Sequence, residues 1–343
     1  MNETSLCVIA RDDRENLAYM LDQVQPYVNE VVIVDTGSLD GTRELAEDRA
    51  DVFIDGSFLL DSDGFLSDFS AARTLAHDAG TKAWQLWFDS DDDLSDPKKL
   101  PYVVDMLEEM REDEPRPVVG ALLYEYSWNG DRTRCLQAFY RDRIVRKDDG
   151  FKWIRPVHEC LDVPRTSAIV KVPPGTLRVV HMSSGGRGVE DDRNLRILHA
   201  WKTNDPARDY YIGDELLFRS RFEEAAKAFL KVPPLSGDFY WRGRLRAARA
   251  MGALRNVQQA LCIIEEAIWH SRVPNLLLER GRLRLMQGEW NLAESDMYLV
   301  ALGDRADPSE DPRAAFNVLA DAVNTYRHTV PHPRLVGRVD VGR

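Results

Sequence analysis

Residues 5–36 read SLCVIARDDRENLAYMLDQVQPYVNEVVIVDT, which is an apolar run, an amphipathic stretch and a second apolar run. The two apolar runs, 5–10 and 30–36, are rich in β-branched residues and predict strands, whereas Glu15–Tyr27 has the spacing of a helix. A helix between two wholly apolar strands is typical of a βαβ unit. Such units require a parallel sheet that is covered on both faces.

The same alternation continues along the chain. Runs at 51–54 and 84–89 predict two further strands, and Thr42–Arg49 and Ser70–Ala79 predict the helices between them. The chain therefore begins with a Rossmann-like α/β domain.

Ligands of such sheets bind outside the carboxyl ends of the strands. Three polar residues, Arg11, Asp35 and Asp89, each end a predicted strand. We therefore expect the chemistry of this domain to lie near these three side chains.

The predicted secondary-structure pattern changes at residue 118. Four extended segments follow without a helical pattern between them: VVGALLYEYSW, RTRCLQAFYRDRIVR, FKWIRPVHECLDV and AIVKVPPGTLRVVHM. They predict a mixed or antiparallel addition to the sheet. A helical stretch, Glu190–Thr203, then leads to Asn204-Asp205-Pro206, a predicted hinge. We therefore place the first domain at 1–205.

Beyond the hinge, residues recur with a period of about 34. The spacings resemble those of tetratricopeptide repeats, in which small residues stand where paired helices approach closely. The recurring sets are Gly213, Ala248 and Gly281; Ala225, Ala260 and Ala293; and Phe229, Ile264 and Met297. We predict an all-α repeat domain at 206–330, with a degenerate capping helix at Arg313–Tyr326 and a flexible tail at 331–343. A plain helical bundle is the alternative.

The composition limits the cellular context. Cys7, Cys135, Cys160 and Cys262 include no CxxC pair, so a zinc knot or a disulfide framework is disfavoured and a reducing compartment is favoured. No secretory leader is evident at the N-terminus, and no window approaches the roughly 18 apolar residues of a membrane span. We expect a cytoplasmic protein without a membrane partner.

Residues 87–96, WFDSDDDLSD, place Asp89-Ser90-Asp91 at the end of a predicted strand, directly before Asp92 and Asp93. A D-x-D pair at this position allows one carboxylate to bind a divalent cation and the other to bind a ribose or a metal-bound water. The alternative is a solvated acidic loop that caps the helix beginning near Pro97.

Two longer stretches carry a family resemblance: SLCVIARDDRENLAYMLDQVQPYVNEVVIVDTGSLDGTRELA and DFSAARTLAHDAGTKAWQLWFDSDDDL. They resemble inverting family-2 glycosyltransferases, especially bacterial and phage members that carry tetratricopeptide repeats. The match is close over residues 4–95 and looser to about 200. It implies a GT-A fold, a nucleotide-diphosphate sugar as donor, transfer of a hexose, and a divalent cation, Mn²⁺ or Mg²⁺. Since residues 1–205 carry a net charge of −14, a bound cation would also offset their repulsion of a diphosphate.

The resemblance also implies roles for individual residues. Asp35 would contact the nucleotide base, Arg73 would line the nucleotide pocket, and Asp91 would bind the metal. A strand-end cap is the alternative role for Asp35, and an exposed helix arginine is the alternative for Arg73. The full set expected to bind the nucleotide sugar is Ala10, Arg11, Asp35, Asp40, Arg73, Asp89 and Ser90.

The chain departs from the family at one point. Where the first strand is usually followed by Lys-Asn-Glu, this sequence has Arg11-Asp12-Asp13. This departure lies where contacts with the nucleotide are expected. UDP is favoured as the carrier only by the family resemblance.

Pro156-Val157-His158-Glu159 resembles the His-Glu block on the acceptor side of the family's site. Direct displacement needs a base for the acceptor proton; Glu159 is the first candidate and Asp92 the second. His158 would bind phosphate or metal, or pack in the core. His181 would ligate the metal or touch the diphosphate, and the glycine-rich segment 183–188 would close over the donor or serve as a linker.

The predicted repeats add a basic feature. Arg242, Arg246 and Arg249 share one helix face, and Arg280 and Arg284 recur one period later. An arginine-lined groove would accept an acidic polymer, whereas pairing with Glu265, Glu266 and Glu279 would neutralise it. Protein, glycan and modified nucleic acid all stay open as acceptors, and a homodimer is compatible with the sequence.

Two other functions compete with transfer of a sugar. A nucleotidyltransferase would also use carboxylate-bound metal, but the glycine-rich loop usual after its first strand is absent. A catalytically silent transferase-like domain on a repeat scaffold is the remaining alternative.

Overall fold

The computed structural model describes residues 3–182, 191–271 and 273–302, together with Asn317 and Ala320. The chain divides into two compact units, Met1–Trp201 and Lys202–Arg343. The predicted donor loop at 183–188, the tail at 331–343 and, apart from Asn317 and Ala320, the predicted capping helix lie outside the described residues.

The first unit is a mixed α/β domain. Its strands are β1 (Thr4–Ala10), β2 (Glu30–Asp35), β3 (Val52–Asp55), β4 (Trp84–Trp87), β5 (Asp92–Leu94), β6 (Val118–Trp128), β7 (Cys135–Arg146), β8 (Trp153–Ile154), β9 (Cys160–Leu161), β10 (Ala168–Lys171) and β11 (Arg178–His181). Its α-helices are α1 (Arg14–Val24), α2 (Thr42–Arg49), α3 (Phe69–Ala79), α4 (Leu100–Asp113) and α5 (Arg193–Ala200).

The main sheet runs in the order β3-β2-β1-β4-β7-β6-β11-β5, and β10 pairs with β6. Strands β1 to β4 pair in parallel, as the βαβ pattern predicts, while β7 pairs antiparallel with both β4 and β6. The predicted fold class, a Rossmann-like sheet with a mixed extension, is confirmed.

The apolar runs form the core of this unit because both faces of the parallel strands are covered. Leu6 and Val8 of β1 and Ile33 of β2 are fully buried, and Leu17 and Leu21 of α1 pack in the same cluster. Burying each such side chain contributes about 1.5–3 kcal/mol to the stability of the fold. This packing fixes the positions of the strand ends, where the polar residues lie.

The strand ends differ from the prediction in two places. Asp35 is the last residue of β2, but β1 ends at Ala10 and β4 ends at Trp87, so Arg11 and Asp89 lie just beyond their strands. The acidic run does not cap a helix, because its residues Asp92–Leu94 form β5. This short strand pairs antiparallel with β11 and sets His181 opposite Asp92.

The second unit is all-α over its described residues. Its helices are α6 (Pro206–Phe218), α7 (Phe222–Leu230), α8 (Asp238–Ala253), α9 (Val257–His270), α10 (Pro274–Gln287) and α11 (Trp290–Leu302). Successive helices pack on one another, as the repeat pattern predicts. The recurring small residues are buried at these crossings, for example Ala225, Ala248 and Ala260.

Gly213 of α6 shows why one repeat position must be small. A Cβ atom at this residue would lie 2.6 Å from the ring of Phe229 on α7, whereas a Cβ at Gly243 of α8 would meet its nearest atom at 3.5 Å. The first distance is a clash, and the second is ordinary van der Waals contact.

We expect Gly213→Ala to destabilise the repeats by about 1–3 kcal/mol, because Phe229 must move to admit the methyl group. Gly243→Ala is the matched control and should be neutral or stabilising by up to about 1 kcal/mol, since alanine favours helix. Urea unfolding followed by circular dichroism measures both. Equal stabilities of the two variants would contradict the close approach of Gly213 to the ring of Phe229.

Candidate functional site

Asp35 holds the turn after β2 and keeps one oxygen for a ligand. Its side chain is fully buried, and Oδ2 accepts hydrogen bonds from the backbone N–H groups of Gly37 and Ser38, each at 3.1 Å. Oδ1 is buried without a hydrogen-bond partner among the described residues. Because such an oxygen carries a desolvation cost, an N–H or O–H donor of a ligand would be bound favourably here.

The residues around Asp35 fix the neighbouring loops. The carbonyl of Ala10 accepts from both the N–H and the hydroxyl of Thr36, at 3.0 and 3.1 Å. Arg11 donates through Nη2 to the carbonyl of Gly64 at 2.7 Å, and Ser90 donates to Asp13 at 2.6 Å. These bonds hold together the segments that follow β1, β2, β3 and β4.

Asp40 has both carboxylate oxygens engaged. Oδ1 accepts from the N–H and hydroxyl of Thr42, and Oδ2 accepts from the N–H of Arg14. Burial acts to raise the pKa of Asp40, but these hydrogen bonds outweigh it and lower the pKa. Asp40 therefore fixes the turn that precedes α2 and braces the loop after β1.

Arg73 of α3 is buried, in contrast to the alternative of an exposed helix arginine. Its Nε donates to Glu159 Oε1 at 3.1 Å, and its Nη2 pairs with Asp89. The guanidinium also lies over the rings of Trp87 and Trp153, at 4.7 and 5.4 Å from their centroids. Arg73 thus joins the D-x-D segment to the His-Glu block.

Asp89 is surrounded by cations. Besides Arg73, Arg143 lies 3.6 Å and Arg141 3.8 Å from its Oδ2. Burial acts to raise the pKa of Asp89, but the three guanidinium groups outweigh it and hold the pKa well below the usual range. The carboxylate is therefore ionised.

Asp92 and Arg143 form a fully buried ion pair, with Nη2 3.0 Å from Oδ2. The same oxygen accepts from the N–H of Asp89 at 2.9 Å, and the guanidinium lies 3.9 Å over the ring of Trp87. Burial raises the pKa of Asp92 to about 7 despite the attraction of Arg143. Because its carboxylate is inaccessible to an acceptor, this arrangement favours Glu159 over Asp92 as a base.

Asp91, Asp92 and His181 bring potential metal-ligand atoms within 4.8 Å of one another. His181 Nδ1 lies 3.5 Å from Asp91 Oδ2, and the N–H of Met182 donates to the carbonyl of Asp91, which locks β11 beside the D-x-D segment. Burial raises the pKa of Asp91, and the nearby Asp89 carboxylate adds to this effect. A cation in this cluster would offset that concentration of negative charge.

The donor atoms fit a divalent ion. Asp92 Oδ1 and His181 Nδ1 are buried without hydrogen-bond partners among the described residues. Two carboxylates with one imidazole suit Mn²⁺, and carboxylate oxygens also suit Mg²⁺.

The His-Glu block lies in the turn between β8 and β9. His158 has a φ of +54°, in the left-handed region that non-glycine residues rarely adopt. The carbonyl of Pro156 accepts from the N–H of Phe69 at 2.8 Å, which ties this turn to the start of α3. The Glu159 side chain is 12% exposed beside Arg73.

The arginines predicted to line a groove in the repeats have acidic neighbours. Of the predicted acidic partners, only Glu265 and Glu279 lie beside these arginines. The other partners differ because the distance between two side chains depends on how the helices pack. The pairs are Arg242 with Asp238 at 4.0 Å, Arg246 with Asp214 at 2.6 Å, Arg249 with Glu279 at 3.1 Å, Arg280 with Asp296 at 2.6 Å, and Arg284 with Asp296 at 2.9 Å and Glu265 at 3.7 Å. The helix face is therefore largely neutralised.

Sequence reasoning missed Arg141 and Arg143. Both guanidinium groups lie over the rings of Trp87 and Tyr124, so both reach the aspartates from the same side. The register of β7 against β6 shifts beside Gly120, opposite Arg143. A glycine inside an apolar strand is the sequence signal that could have indicated this bulge.

The sequence of the first unit matches a known protein family. The sequence model of glycosyl transferase family 2 matches residues 5–160, which include the three strand ends and Glu159. Residues 5–160 are a family 2 glycosyltransferase domain.

One curated protein is similar to part of the chain. A TPR repeat-containing protein of Synechococcus elongatus is 32% identical over 166 residues, which are 47% of this chain and 36% of that protein's length. Of the described residues, no helix is both long and apolar enough to cross a bilayer.

Two solved structures resemble part of the chain. The type III secretion translocator chaperone SycD of Yersinia enterocolitica is 19% identical with a TM-score of 0.33, covering 37% of this chain and 96% of SycD. The TPR2B domain of yeast Sti1 is 15% identical with a TM-score of 0.33, covering 36% of this chain and all of that domain. The helical-repeat architecture itself rests on the packed helices α6 to α11.

We expect Arg143→Met to destabilise the family 2 domain by about 3–5 kcal/mol, because Asp92 would stay buried without its cation. Arg141→Met, which removes a guanidinium that is 28% exposed, should cost about 1 kcal/mol or less. Chemical denaturation of both variants compares them. If Arg143→Met lost no more stability than Arg141→Met, the result would contradict the buried ion pair.

Proposed function

We propose that the chain is an inverting, metal-dependent glycosyltransferase that moves a hexose from a nucleotide-diphosphate donor, with UDP as the favoured carrier, to an acceptor by direct displacement. The family 2 domain supports the reaction class. The observation that carries the proposal is the cluster of Asp91, Asp92 and His181, which adjoins the Arg73–Asp89 pair beyond the carboxyl end of β4.

Nucleotide binding is assigned to the loops after β1, β2 and β4. The buried Oδ1 of Asp35 supports a contact with an N–H of the base, because its partner oxygen is already satisfied. Arg73 fixes Asp89 for a ribose hydroxyl, and Ala10, Arg11, Asp40 and Ser90 shape the pocket through the bonds described above.

Asp91 and His181 would hold the cation, with Asp92 Oδ1 as a third donor. A divalent ion bound there would neutralise charge on the departing diphosphate. His158, beside Glu159, is proposed to face phosphate. Arg143 keeps Asp92 from shifting toward solvent.

Glu159 is proposed as the base. The acceptor hydroxyl oxygen forms its bond to the anomeric carbon while the bond from that carbon to the diphosphate oxygen breaks, and the hydroxyl proton passes to the Glu159 carboxylate. Arg73 orients this carboxylate through Oε1. Attack opposite the leaving group inverts the anomeric centre.

The domain limits that we propose are 1–205 for catalysis and 206–330 for repeats that hold part of the acceptor. A cytoplasmic location is supported by the four cysteines, all of which carry free thiols. The alternative is a silent transferase-like domain on a binding scaffold. The intact set of charged residues around Asp89 opposes that alternative, since a decayed site would have no need of three converging arginines.

Asp91→Asn should lower metal-dependent hydrolysis of the donor at least about a hundredfold, because it weakens a ligand without opening the core. Asp93→Asn is the matched control two residues along and should retain activity. The assay uses a panel of UDP-, GDP- and TDP-hexoses with Mn²⁺, and a thermal melt confirms that both variants are folded. Normal turnover by Asp91→Asn would remove this residue from the metal site.

Asp35→Asn should weaken UDP binding about tenfold, because an amide can keep the bonds to Gly37 and Ser38 but presents N–H groups toward the base. Asp51→Asn, at an aspartate that accepts from the N–H of Val31, is the control. Calorimetric titration with UDP measures both. Unchanged affinity of Asp35→Asn would leave Asp35 as a turn cap only.

A further inference from the structure

An aromatic strip leads away from the metal-ligand cluster along β6 and β7. Tyr124 and Phe139 lie opposite each other in the sheet, with ring centroids 5.7 Å apart and nearly perpendicular. Tyr126 continues the strip, and its ring stacks on that of His181 at 5.5 Å with an angle of 10°. The strip therefore begins at a proposed metal ligand and runs outward.

The outer end of the strip is open. Tyr126 is 47% exposed and Phe139 is 37% exposed, whereas Tyr124 beneath them is buried. The rings of Tyr126 and Phe139 are 6.1 Å apart and inclined at 48°. The exposed surfaces of these two rings form one apolar patch, which is called the seat below.

Two arginines that contact this part of the site, Arg141 and Arg132, are already engaged. Arg141 lies 5.5 Å over Tyr124 and 3.8 Å from Asp89, and Arg132 donates to the carbonyls of His181 and Met182. An acidic ligand would therefore find no cation directed at it from these residues. The seat favours a neutral ligand with one apolar face.

We propose that Tyr126 and Phe139 form the acceptor subsite and that its occupant is a sugar ring. A pyranose offers a C–H face to the aromatic rings and hydroxyls at its edge, one of which serves as the nucleophile. This inference rests on the proposed function, since it names the acceptor class of the same site. It replaces the acidic polymer that the repeat arginines suggested, because those arginines have acidic neighbours.

The test measures donor hydrolysis and transfer separately in the full-length protein. UDP-hexoses with Mn²⁺ give hydrolysis to water, and methyl glucoside, methyl galactoside and methyl mannoside serve as acceptors. Phe139→Ala should raise the KM for the accepted glycoside about tenfold, as loss of one aromatic face costs about 1.4 kcal/mol. Hydrolysis should be unchanged, because Phe139 does not stack on His181.

Tyr126→Ala should raise the same KM, and Tyr126→Phe should restore it, since the ring rather than the hydroxyl forms the seat. Tyr102→Ala on α4, at an exposed tyrosine outside the strip, should behave as the wild type. A wild-type KM in Phe139→Ala and Tyr126→Ala would overturn the subsite.

Hydrolysis accompanied by transfer to a polypeptide but to none of the glycosides would overturn the sugar assignment. Absence of hydrolysis in the wild-type protein with every donor would instead overturn the proposed function itself. The failures of the two proposals are thus distinguishable.

Discussion

The site depends on a buried network of opposite charges. Asp89 and Asp92 are held by Arg73 and Arg143, and the guanidinium groups lie against Trp87. Carboxylates at such depth would otherwise take up protons, as the raised pKa of Asp92 indicates. The arginines keep Asp89 ionised and fix the short backbone segment between the two aspartates.

This constraint positions Asp91. With Asp89 and Asp92 anchored on either side, Asp91 is left facing His181, and the pairing of β5 with β11 brings that histidine across. The β6–β7 hairpin then connects the buried charges with the exposed rings of Tyr126 and Phe139. One continuous surface thus runs from the proposed leaving-group site to the proposed acceptor seat.

Much of the fold could be predicted because its signals are local. Alternation of apolar strands and helices located β1 to β4, and the recurrence of small residues located α6 to α10. Asp35 and Asp89 stood out because each was predicted to end a strand, whereas Arg73 and Asp91 were singled out by the family resemblance. The roles of these residues remain predictions.

Long-range packing explains what could not be predicted. The segment Asp92–Leu94 has little strand propensity and becomes a strand only because β11 lies beside it. Arg143 lies at a register shift that depends on β6, and the partners of the repeat arginines, such as Asp296, come from neighbouring helices. Such contacts join residues that are distant in the sequence, so a local sequence pattern does not predict them.

In the proposed mechanism, Asp91 and His181 hold a divalent cation against the diphosphate of the donor. Anomalous scattering from a crystal of the full-length protein grown with UDP and Mn²⁺ would locate this cation. We predict one manganese peak bonded to Asp91, His181 and a diphosphate oxygen, with Asp92 as the third protein donor. Ordered UDP without manganese between these side chains, or a peak bonded to other residues, would contradict it.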